Sequence, residues 1–160
     1  MDGWQARVDA VWNDPAASAE EVVARITELV AALPADDPRG PFELGGAYDS
    51  AGQEAAAAEQ YARAIELGVS GRARAALDIQ YASTLRNLDR AEEAIEILRT
   101  SRRDPDLGAS PDAFLALALH SAGQPEEALA VALDALIPYL PSYERSLRGY
   151  VEELRAGAAN

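Results

Sequence analysis

Cysteine is absent from the 160 residues, which excludes disulfides, thiolate metal ligands and thiol nucleophiles. Lysine is absent as well: all 14 basic residues are arginine, set against 27 acids for a net charge of −13. A surface this acidic repels phosphate backbones and disfavours nucleic acid as a partner. The single histidine, His120, has no second His or Cys to converge with, so neither a metal site nor a catalytic triad is expected. Aromatics are only 6% of the chain, and no stretch approaches the ~20 uninterrupted apolar residues that span a bilayer. The start, Met1-Asp2-Gly3-Trp4, lacks the basic region and apolar stretch of a secretory leader. These absences lead to an expectation of a soluble cytoplasmic protein with no cofactor, no metal and no membrane contact.

Alanine fills the space the large side chains leave. It accounts for 35 residues within a 49% apolar chain, so the core is built from closely packed helices. Arginine without lysine, together with this alanine excess, is the composition of a GC-rich genome, as in many actinobacteria, and a bacterial source is expected.

Residues 3 to 13 read as a short amphipathic helix with Trp4, Val8, Val11 and Trp12 on one side, ended by Asp14-Pro15. Ser18 and Glu21 have capping-box spacing ahead of a stripe of Val22, Ile26, Leu29 and Leu33. Pro34 to Pro38 breaks the chain. Asp89 with Glu92 has the spacing of an N-cap and its reciprocal partner. Ser110-Pro111-Asp112 reads as a capped helix start, and Pro138 and Pro141 end the helix that Pro125 begins.

Between these marks one pattern recurs three times, at offsets of 37 and then 34 residues. Its columns are Gly45, Ala82, Ala116; Tyr48, Leu85, Leu119; Gly52, Asp89, Gly123; Ala57, Ala94, Ala128; Tyr61, Leu98, Ala132; and Ala64, Ser101, Ala135. A period near 34 with this content reads as a helix-turn-helix repeat. Small residues belong where two helices cross closely, and glycine belongs where the turn needs positive φ, a conformation Asp89 adopts less comfortably.

The pattern resembles the tetratricopeptide repeat. Leu44-Gly45-x-Ala47-Tyr48, then Gly52, Ala57, Tyr61 and Ala64, carry its fullest signature; the third copy keeps Gly123, Ala128 and Ala135, and the second mainly Ala82 and Ala94. The usual closing proline is replaced by Val69 and only approximated by Pro105 and Pro141, and the early tryptophan is missing. The resemblance implies an all-α, right-handed α-solenoid of about nine helices in a single domain. Residues 1–37 form an N-terminal hairpin and cap, 38–141 the three repeats, and 142–160 a capping helix and tail.

It also implies a non-enzymatic adaptor holding a peptide or protein segment in a concave groove. The lining carried over by position includes Phe42, Gly46 and Asp49, then Ile79, Ser83, Arg86 and Asn87, then Ala113, Leu117, His120 and Ser121. Chaperone-tail capture is excluded, because Phe42 and Gly46 occupy the positions of its lysine and asparagine. Arg86, Asn87 and His120, joined by Arg145 and Arg148, would form a polar patch for an acidic segment. The alternative is that each arginine is solvated or paired with a nearby acid. Phe42, Ile79 and Leu117 would supply apolar contact. The Trp4 and Trp12 stripe is expected to cap the open end of the first repeat, and the protein is expected to be a monomer or, as a self-assembly module, a homodimer.

Overall fold

The computed structural model describes residues 3–158, so the terminal pairs 1–2 and 159–160, parts of the expected cap and tail, lie outside the described residues. Nine α-helices make up the fold among those residues. They are α1 Gly3–Trp12, α2 Ala19–Val30, α3 Arg39–Ser50, α4 Glu54–Glu66, α5 Gly71–Asn87, α6 Ala91–Thr100, α7 Ser110–Ser121, α8 Pro125–Leu136 and α9 Glu144–Ala158. Short 3-10 turns at Pro105–Leu107 and Ile137–Tyr139 flank the third hairpin. Packing divides the chain into two compact units, residues 1–77 and 78–160, with the division inside α5.

In the first unit, Ser18 starts α2 through the capping box that its spacing implies. The Glu21 amide donates to the Ser18 hydroxyl at 3.2 Å, and the Ser18 amide donates to the Glu21 carboxylate at 2.8 Å. Trp4, Val8 and Val11 of α1 pack with Val22 and Ile26 of α2 and Ala47 of α3 in one buried cluster. The Trp4 indole donates to the Leu29 carbonyl at 2.8 Å, and the Arg39 guanidinium lies 5.0 Å from its ring centre. Of the aromatic stripe, Trp4 is thus buried against α2 and α3, and Trp12 is left partly exposed. Between α3 and α4, Gly45 faces the fully buried Tyr61 ring so closely that a Cβ would lie 2.5 Å from it. That close approach is what requires glycine at this crossing.

The three hairpin turns are one motif. Gly52, Asp89 and Gly123 take φ of 69°, 59° and 72°, and each amide bonds a carbonyl three residues back. The next amide, from Gln53, Arg90 or Gln124, reaches Tyr48, Leu85 or Leu119 at 2.9 Å, closing a Schellman turn. Asp89 is thus the left-handed turn residue of its column and not the N-cap of α6, a position Arg90 takes without a side-chain cap. The N-cap of α7 is likewise Ala109, and Ser110 is already helical.

In the second unit, one cluster joins Ile79, Ala82 and Leu85 of α5, Ala94, Ile95 and Leu98 of α6, Leu115, Ala118 and Leu119 of α7, and Ala128 of α8. A smaller cluster joins α8 to α9 through Ala130, Ile137 and Val151, flanked by Leu133, Leu147 and Leu154.

Candidate functional site

The 34-residue pattern places alanines on the facing sides of α7 and α8. Ala113 and Ala116 meet Ala128, Ala132 and Ala135 across a groove of about 670 Å³, whose lining also includes Leu117, His120, Leu129, Leu136 and Tyr139. Its floor is low because Ala132 stands where Tyr61 and Leu98 fill the earlier hairpins. Its walls are apolar and open to solvent: Leu117 is 47% exposed, Leu129 50%, Leu136 49% and Tyr139 69%. Apolar exposure gathered in one place, rather than scattered singly, marks an interaction surface.

A tetratrico peptide repeat model matches residues 38–154, starting at Pro38, where the repeats are expected to begin. The chain belongs to the tetratricopeptide repeat family. No curated protein matches it.

The positions carried over from tetratricopeptide repeats are distributed unevenly. In the first unit, Phe42 and Asp49 lie on α3, both half-buried. In the second, Leu117 and His120 do share an open face, the groove above. Ile79 does not: it is 7% exposed and belongs to the core cluster, so it offers no contact surface, because an isoleucine facing α6 and α7 gains more from burial than from solvent. Ser83, four residues further along α5, is half-buried.

Arg86 is also half-buried. One terminal nitrogen donates to Asn87 at 3.0 Å, and its Nε is buried with no hydrogen-bond partner. Arg145 and Arg148 are exposed on α9, and no hydrogen bond or ion pair ties either to Arg86 or His120. Other arginines do find acids, among them Arg25 with Asp14, Arg39 with Asp37, Arg90 with Glu93, Arg103 with Asp112, and Arg155 with Asp134.

Leu129 and Leu136 of α8, and Tyr139 in the 3-10 turn that follows it, are among the lining residues that the repeat pattern did not nominate, because it assigns lining to first helices and these lie on or after the second. The available signal was the shrinking column Tyr61, Leu98, Ala132. Among the described residues, no group of three His, Asp or Glu is placed to hold a metal, and no helix is long and apolar enough to cross a membrane.

Proposed function

We propose that the chain is a non-enzymatic receptor that holds a segment of another polypeptide on its helical hairpins, with the α7–α8 groove as the main seat. Tetratricopeptide repeats mediate protein–protein interaction, which supports the class of function. The single observation that carries the choice of surface is the row of half-exposed leucines over an alanine floor. A groove formed before the guest arrives leaves the ordering cost to the guest alone.

Recognition of an acidic segment would need Arg86, Asn87, His120, Arg145 and Arg148 to act on one ligand. Arg86 engages Asn87, and the open face beside His120 is apolar. Apolar contact is therefore favoured over carboxylate capture, with Leu117 and His120 both on the open face.

Selection from a displayed peptide library, followed by NMR mapping of the peptides recovered, tests the reading. The expected result is binders that shift amides within residues 38–154. No selectable binder, or binders confined to the α1–α2 cap, contradicts it.

A further inference from the structure

Two hairpins of the second unit carry the same columns, and only one of them is covered. In the second hairpin Ile79, Ala82, Ala94, Ile95 and Leu98 are buried in the cluster that α7 completes with Leu115, Ala118 and Leu119. Thirty-four residues on, the matching positions are Ala113, Ala116, Ala128, Leu129 and Ala132, and they line the open groove: Ala113, Leu129 and Ala132 are exposed, Ala116 is half-buried, and Ala128 alone is buried, against the same cluster.

The last helix does not take the place α7 takes. α9 packs on the flank of α8 formed by Ala130, Leu133 and Ile137, where Arg155 reaches Asp134 at 2.7 Å and Glu127 at 3.6 Å. The equivalent positions in the second hairpin are Glu96 and Arg99 on α6 and Arg103 just beyond its end, all exposed. The terminal helix thus docks where the second hairpin is bare and leaves bare what the second hairpin covers.

We propose that this groove receives an amphipathic α-helix of a protein partner, seated as α7 is on the preceding hairpin, with a Leu-x-x-Ala-Leu stripe inward and basic flanks. This deepens the protein-segment reading and rests on it. The guest is a helix because the molecule itself covers the same columns with one, and because alanine at 113, 116 and 132 permits close helix approach. It brings a leucine because Ala132 vacates the volume that Leu98 fills. Its flanks are basic because the unit that carries the groove is acidic overall, residues 78–160 holding 14 acids against 8 arginines. No acid lines the groove itself, and Arg103 and Arg155 hold Asp112, Glu127 and Asp134, so the attraction comes from the net charge of the unit, which favours a cationic helix and repels anionic surfaces.

The probe is a lactam-locked synthetic helix of about 16 residues, with the Leu115, Ala118, Leu119 stripe inward and arginine outward. Titrated against the full chain, it is expected to bind with Kd on the order of tens of micromolar. Leu129→Glu should weaken binding by about tenfold or more, and so should Ala132→Leu, which refills the floor. The same helix with glutamate outward should bind about tenfold more weakly. Should Leu129→Glu lose its helicity, Ala132→Leu carries the test, since it adds apolar bulk at an open position. No binding up to about 1 mM, or equal binding by wild type and Ala132→Leu, overturns the proposal.

A dimer broken by Leu129→Glu in sedimentation would place a second copy in the groove and also overturn it. Library-selected binders that map to other parts of 38–154, together with failure of this probe, remove the helix proposal and leave the general reading standing. The absence of any binder removes both.

Discussion

Ile95 and Leu129 occupy the same column 34 residues apart, yet Ile95 is 5% exposed and Leu129 50%. Their hairpins share turn geometry, down to 2.9 Å bonds from Arg90 and Gln124 to Leu85 and Leu119. What differs is the neighbour: α7 lies over the second hairpin, while α9 turns to the other flank of α8. In a repeat protein, each unit is finished by the one beside it, so a column fixes the shape of a surface and the next element decides whether water reaches it.

Truncation should expose that contrast most strongly. Ile95→Ala is expected to cost about 3 kcal/mol of unfolding free energy. Leu129→Ala, at the same column, should change stability by no more than about 0.5 kcal/mol. Urea midpoints for the two variants check this, and equal losses would break the comparison.

The paired columns also exchange volume. Gly45 stands with Tyr61, Ala82 with Leu98 and Ala116 with Ala132, so the third hairpin has the least bulk between its helices. Gly45→Ala pushes a methyl into the Tyr61 ring and should destabilise by about 2 kcal/mol in the same urea assay. A neutral result there would mean the first hairpin is not packed to its limit.

At the turns, Asp89 holds the φ that its column otherwise gives to glycine. Asp89→Gly is expected to raise stability by about 0.5 kcal/mol. A loss of stability would show that the aspartate side chain supports the second turn in a way the other two turns do not need.

The smallest effect contrasts the sealed α1 end with the open α8 groove. At the sealed end Glu43 accepts a hydrogen bond from the Trp12 indole at 2.8 Å. Burial is the largest influence on its carboxyl and holds it above the ordinary glutamate range; Trp12 and Gln5 oppose the shift by hydrogen bonding, and Asp9 adds to it. The fold therefore favours the protonated form. That contribution is full below about pH 4.3 and is lost as pH rises through the elevated value. Glu43→Gln keeps an acceptor for Trp12 and removes the loss, so its advantage over wild type should grow between about pH 4 and about pH 7 in thermal melts. A pH-independent difference would contradict the burial of this carboxyl.

Much of the helical plan was legible because its signals are local. The Ser18–Glu21 box, the Pro34–Pro38 break and the turn glycines act over a few residues, and the structure uses them as spaced. Asp89 was open to two readings because Asp suits both an N-cap and a left-handed turn, and the bond from Arg90 to Leu85 selects the turn. The candidate site was less legible. Ile79 was expected on a lining by column, yet column membership carries no information about the helix that later covers it. Leu129 and Leu136 have the spacing of buried residues, and only the docking of α9 on the Ala130, Leu133, Ile137 flank leaves them open.

The chain's lack of cysteine permits a direct test of the covered and open hairpins, by labelling single thiols placed at the two matched positions. In the full chain, Leu129→Cys should react with a maleimide at nearly the rate of an unstructured thiol, and Ile95→Cys about 100-fold more slowly, limited by local opening. Equal protection of both thiols in a monomeric sample would contradict the account.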